Sequence, residues 1–230
     1  MDIIISLKLA PANKLKVIAQ GSSNGIDTSF FTVQNIISKE ELRNRWGIGT
    51  TDFVFVFVGR IVKDKGINEL VRSFVELKKS YNDIRLLLVG GFERELDPLA
   101  EDVEDKISKD SFIISVGCQS DVRPFLVMAD VLAFPSYREG FPNVVMQAGA
   151  MGLPSIVTDI NGCNEIIQDG VNGKIIPPKN EKALYEAMKW MYEHHKTKVK
   201  EMAQRARPII VERYEQKKVW EELLKEYKRL

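Results

Sequence analysis

Little in this sequence is extreme, and each shortage removes a class of protein. Only two cysteines, Cys118 and Cys163, occur in 230 residues. They are too few and too far apart for a disulfide framework, and they read as small buried hydrophobes in a reducing, cytoplasmic location. No apolar run approaches the roughly 18 residues that span a bilayer as a helix. The opening MDIIISLKLAP has neither a basic n-region nor a cleavage site, so export by that route is not expected. A formal net charge of +1 leaves no footprint for a polyanion, and no nucleic-acid-reading motif occurs, so nucleic acid is not an expected partner. The GxxxxGK[ST] order of a Walker loop is also absent.

What remains is an ordinary globular composition, 44% hydrophobic and 28% charged, in a chain long enough to bury roughly 70% of its unfolded surface. Apolar, β-branched runs recur at 16–19 (KVIA), 53–58 (FVFVFV), 84–89 (IRLLLV), 112–116 (FIISV), 131–134 (VLAF), 155–158 (SIVT) and 173–176 (GKII). Their continuous apolarity predicts strands covered on both faces, as in a parallel sheet. Between them, Leu70, Val71, Phe74 and Leu77 form a helical stripe within 67–81, and 122–129 and 144–151 read as shorter helices. The alternation predicts an α/β fold, a doubly wound, Rossmann-like parallel sheet. From Glu181 the strands stop and C-terminal helices are expected over 181–194, 196–213 and 215–230. The last places Trp220, Leu223, Leu224 and Tyr227 on one stripe that must cover something, either this domain or a partner. Residues 196–230 carry 11 Lys and Arg against 6 Glu. That excess suits an anionic membrane surface, and a solvated helix face is the plainer alternative.

Three glycine-bearing turns follow the expected strands, and ligands of open α/β sheets sit beyond the strand carboxyl ends. In GSSNGID, 21–27, Asn24 and Gly25 read simply as a tight turn. In GRIVKDKG, Gly59 to Gly66, Arg60 offers a forked guanidinium and Lys65 a point charge, together suited to a diphosphate. The third, FPSYREGFPNVV, has Pro142 at the first turn of a helix, which leaves the amides of Asn143 and Val144 as free donors at a positive helix end. Its one acid, Glu139, would be repelled by a phosphate there, so it is expected to face sugar hydroxyls; an acid assisting the helix dipole is the alternative.

The joint order GR…KG, EGFPNVV, GLPSIVTDINGCNEII and DGVNGKIIPP, over about 16–213, resembles the donor-binding, C-terminal half of the retaining GT-B glycosyltransferases, family 4 above all. By that resemblance Arg60 and Lys65, with Gly59 beside them, bind the donor diphosphate. Glu139 holds the donor sugar, Gly140, Phe141, Pro142, Asn143 and Val144 form the backbone seat, and Cys118 and Gln119 border the nucleotide base. Arg60, Lys65 and Glu139 are then the expected catalytic set. The family acid that contacts the nucleotide ribose is replaced here by Gln147, which keeps an acceptor but loses the charge. Glu165 is the nearby alternative acid, with capping or solvent exposure its simpler role. No DxD triplet occurs, so a metal-bridged diphosphate would lack its ligands, and no metal and no cofactor are expected.

The resemblance implies transfer of a sugar from a nucleotide diphosphate donor, UDP the expected nucleotide, to a hydroxyl acceptor in polysaccharide or glycolipid assembly. It also implies the domain plan: 1–15 as the remnant of an interdomain segment, 16–213 as the nucleotide-sugar-binding domain, and 214–230 as an amphipathic helix against an acceptor-binding N-terminal domain. That domain is not in the chain, so the chain alone is expected to be incomplete for catalysis. Peripheral contact with the cytoplasmic membrane face would fit such a role. His194 and His195, adjacent in the polar tail, are expected to be solvated rather than catalytic. A non-catalytic nucleotide-sugar-binding module and a nucleotide-sugar epimerase of the same architecture are the rival readings.

Overall fold

The computed structural model describes residues 2–34 and 36–229; Met1 and Leu230, the outer ends of the expected 1–15 and 214–230 segments, and Asn35 lie outside the described residues. Helices α1 (Asp2–Ser6) and α2 (Lys39–Arg45) precede β1 (Phe53–Val58). Then α3 (Ile67–Lys78) leads to β2 (Ile84–Val89), α4 (Glu101–Lys109) to β3 (Ile113–Ser115) and α5 (Arg123–Met128) to β4 (Val131–Phe134). In turn α6 (Asn143–Ala150) leads to β5 (Ser155–Thr158) and α7 (Cys163–Ile166) to β6 (Gly173–Ile176), and the chain ends in α8 (Glu181–Glu193), α9 (Lys198–Tyr214) and α10 (Gln216–Tyr227).

The six strands form one sheet in the order β3-β2-β1-β4-β5-β6, every pair parallel. Every residue of β1, β4 and β5 is buried, as expected of strands covered by helices on both faces. Helix α3 packs on α8, and α6 packs on α9. The chain reverses direction across the sheet between β1 and β4, so the topological switch point lies at their adjacent carboxyl ends. The segments that leave those two ends are 59–66 and 135–142.

The seventh apolar run, KVIA, is not a strand. Residues 16–19 carry no regular structure and Val17 is 54% exposed; the run is too short and too open to bury a row of backbone groups, and the sheet ends at β3 and β6. The turn after it is as expected, with Gly25 at φ +64°. Three helices, α1, α2 and α4, appear where the sequence pattern suggests none. The histidines are only partly solvated: both are half-buried, His194 stacked on Trp190 at 4.5 Å and His195 5.5 Å from the Phe53 ring.

Candidate functional site

The loops that leave β1 and β4 are fastened to each other. The amide of Tyr137 donates to the Asp64 carbonyl at 2.9 Å, and the Tyr137 hydroxyl donates to Glu69 Oε1 at 2.6 Å. Gly66, at φ +72°, passes so close to the second loop that a Cβ would stand 2.2 Å from the Pro135 carbonyl oxygen; only glycine fits both the conformation and the space. Burial and the Glu69 contact push the Tyr137 phenol well above its ordinary value.

This closure brings Lys65 to Glu139. Lys65 Nζ donates to Glu139 Oε1 at 2.6 Å, and both side chains are only 15% exposed. Cys163, at the start of α7, is fully buried, and its thiol is pushed up to about 12, mainly by burial and secondarily by the Glu139 charge, against the opposing pull of Lys65. The thiol is therefore close enough to feel both charges.

Three residues beyond Glu139, Pro142 caps α6 with φ −76° and no side chain takes up the first amides. The Pro142 carbonyl accepts the Val145 amide at 3.1 Å. The amides of Asn143 and Val144 precede the first intrahelical bond and remain unpaired among the described residues, two free donors at a positive helix end. Pro142 thus stands one position before the helix rather than inside its first turn. Gly140 has open space where a Cβ would point, and its carbonyl lies against Gly162. Phe141 is half-buried with its ring edge-on to Tyr214 at 5.5 Å. Gln147 is half-buried on the same helix. Glu165 takes the capping role, accepting the Gly162 amide at 3.2 Å.

Arg60 is placed differently. Its guanidinium donates to Glu93 Oε2 at 2.6 Å, with 52% of the side chain exposed, and this contact raises its affinity for its proton. Gly59 donates to the Val89 carbonyl at 2.9 Å. Gly90 comes so near that a Cβ there would stand 1.8 Å from the Gly59 carbonyl oxygen. Beside it a Cβ on Gly91 would meet Cys118 Sγ at 2.8 Å; Cys118 is exposed, and Gln119 Nε2 donates to the Val116 carbonyl at 2.7 Å. The site residues therefore fall into two groups: Lys65, Glu139 and the α6 start at the β1/β4 switch, and Gly59, Arg60, Cys118 and Gln119 at the β1, β2 and β3 ends. Asp64, Glu69, Glu93 and Tyr137 belong to this rim and were missed. The Gly90-Gly91 pair directly after the IRLLLV strand was a signal of the same kind as the other turns, and it would have pointed to Glu93.

The family model of the Glycosyl transferases group 1 matches residues 38–208. The chain is similar to the capsular polysaccharide biosynthesis glycosyltransferase CapM of Staphylococcus aureus, 32% identical over 221 residues, 96% of this chain and 57% of that protein. It is also similar to the putative teichuronic acid biosynthesis glycosyltransferase TuaC of Bacillus subtilis (strain 168), 33% identical over 201 residues, 82% of this chain and 47% of that protein. Among solved structures, Anabaena Alr3699/HepE in complex with UDP superposes with a TM-score of 0.88 at 20% identity, covering 99% of this chain and 61% of that one; the same protein was also determined with UDP-glucose. The fold is thus the Rossmann-like fold of GT-B glycosyltransferases. The chain spans about half the length of these curated relatives.

Proposed function

Since the chain belongs to the group 1 glycosyltransferases, we propose that it is the donor-binding half of a retaining, family 4 enzyme that transfers a sugar from a UDP-sugar to a hydroxyl acceptor in polysaccharide or glycolipid assembly. The observation that carries this reading is the Lys65–Glu139 pair beside the unpaired Asn143 and Val144 amides at the switch point. Alone, Glu139 would repel a phosphate at the α6 start. Paired with Lys65 through Oε1, it presents no net charge to that seat and keeps Oε2 for a sugar hydroxyl. The sugars and nucleotide in the HepE complexes support a UDP-sugar as the donor.

In this reading the diphosphate gains negative charge as the anomeric bond breaks. The two free amides oppose that charge without reorganising, and the Lys65 ammonium, held beside them by Glu139, turns its remaining N–H donors to the same phosphate. Arg60 joins them by leaving Glu93, an exposed exchange of one anion for another that costs little. These groups take the place of a bridging cation, and Gln147 meets the ribose as a neutral acceptor and donor. The acceptor is assigned to a preceding domain, against which the exposed face of α10 packs, and contact with the cytoplasmic membrane face fits a lipid-linked acceptor.

The share of its relatives' length that the chain spans favours a second reading for the polypeptide by itself: donor binding without turnover, because an acceptor that is not held in position loses most of the rate. Calorimetric titration with UDP-, GDP- and ADP-glucose, on the wild type and on Lys65→Ala and Arg60→Ala, tests both readings. Binding of the UDP-sugar, weakened about tenfold or more by Lys65→Ala, as for a lost charged hydrogen bond, and unchanged by EDTA, is expected. Absence of heat with every donor would overturn the assignment, and sugar transfer by the chain alone would overturn the second reading.

A further inference from the structure

Tyr214 ends α9 and is fully buried. A buried phenol needs a partner for its hydroxyl, and Tyr214 donates to the Glu165 carbonyl at 2.9 Å. The choice of partner is informative. Glu165 accepts the Gly162 amide, and Gly162, at φ +77°, lies against the turn, where a Cβ would come 2.6 Å from the Gly140 carbonyl oxygen and 3.0 Å from the Phe141 Cα. The ring of Tyr214 reaches the same turn directly, edge-on to Phe141. Two independent routes, hydroxyl through α7 and ring through Phe141, therefore end on residues 140–141, separated from the Asn143 and Val144 amides by Pro142 alone.

On its other side Tyr214 is fixed by the tight turn near the start of the chain. Its carbonyl accepts the Ile26 amide at 2.8 Å, the Gln216 amide donates to the Ile26 carbonyl at 3.0 Å, and a Cβ on Gly25 would stand 2.6 Å from the Tyr214 carbonyl oxygen. The turn at 24–26, the α9–α10 corner and the 140–144 turn form one continuous packing.

We infer that Tyr214 is a positioning residue for the anion seat: it holds the 140–144 turn so that the Asn143 and Val144 amides point at the distal phosphate of a nucleoside diphosphate. The inference rests on the donor-site reading above. Tyr214 is fully buried behind the turn, so it acts through Phe141 and α7.

The test is calorimetric titration of the chain with UDP and with UMP, which lacks the distal phosphate, for wild type, Tyr214→Phe and Phe141→Leu, with urea midpoints measured alongside. Tyr214→Phe breaks the hydroxyl route and Phe141→Leu the ring route. Each is expected to weaken UDP about three- to tenfold, the cost of one misaligned hydrogen bond, and to leave UMP unchanged. A purely structural tyrosine would lower the urea midpoint and leave the UDP-to-UMP affinity ratio as in wild type. That ratio, unchanged in whichever of the two variants folds, overturns the inference while the donor site stands. A wild type that binds UDP no better than UMP overturns the donor-site reading itself and the role of Tyr214 with it.

Discussion

Glu139 and Lys65 meet at 2.6 Å with little solvent around either side chain, and that burial makes each dependent on the other. Replacing Lys65 by Met leaves a carboxylate without its counter-ion in a nearly dry position, and Glu139→Gln does the same to the ammonium. Each single variant is expected to lose about 3 kcal/mol in urea unfolding, and the double variant less than their sum, because neither then strands a charge. Additive losses would mean that the two charges are solvated separately. Cys163 reports on the same spot. Its thiol, raised to about 12 from an ordinary 9.0, stays protonated and unreactive near pH 8 and is buried, whereas Cys118 is open to reagent at the surface. One thiol should therefore label quickly in the native protein and the second only with unfolding. Because the folded value is the higher one, the contribution of Cys163 to stability is complete below pH 9 and is lost as pH rises toward 12. The urea midpoint of the wild type should accordingly fall across that window more steeply than that of Cys163→Ala.

At the level of elements, the decisive contact is loop on loop: the β1 loop crosses the β4 loop at Gly66 and Pro135. An alanine at 66 must adopt φ +72° and push its methyl into a carbonyl oxygen, one a backbone strain and the other an overpacking. Together they are expected to cost about 3 kcal/mol, read as a drop in urea midpoint, and to weaken UDP-sugar binding because Lys65 adjoins the displaced residue. This crossing was only partly legible in the sequence. The strands announced themselves, above all β1, β4 and β5, whose residues are all buried, because covering both faces leaves runs such as FVFVFV without polar interruption. KVIA has the same look over four residues but has no strand to pair with, and pairing is a property of the sheet, not of the run. Helix α2 escaped because its only buried side chains are Leu42 and Arg43. Arg43 is held there by the Met128, Thr50 and Asp52 carbonyls and by Asp130, partners that only the tertiary fold supplies. Helix α4 offers just Val103 and Ile107, too few for a visible stripe. The turns were readable as candidate sites from glycine and proline alone. That Lys65 would bond to Glu139 while Arg60 went to Glu93 depends on side-chain reach across separate strand ends, which no local pattern encodes.

Over the whole molecule, the C-terminal stripe divides. Val219, Leu223 and Glu226 turn inward, with Glu226 paired to Lys16, whereas Trp220, Leu224 and Tyr227 are 50%, 52% and 67% exposed; the sequence showed the apolar positions but not that they lie on two faces. Trp220 keeps one bond, from Nε1 to Asn24 Oδ1 at 2.7 Å. Through the Ile26 and Tyr214 hydrogen bonds this region is continuous with the proposed donor seat, so a ligand held at the seat should stabilise the fold as one unit. A donor bound only by the native state at a hundredfold excess over its Kd adds about 2.7 kcal/mol. For a domain of this size each kcal/mol is worth about 2–4 °C, so saturating UDP should raise Tm by about 5–10 °C. Lys65→Ala, with its lost charged contact, should show a markedly smaller rise at the same UDP concentration. An equal rise in both would mean that UDP binds away from the β1/β4 switch, at a surface to which Lys65 and the α6 amides contribute nothing.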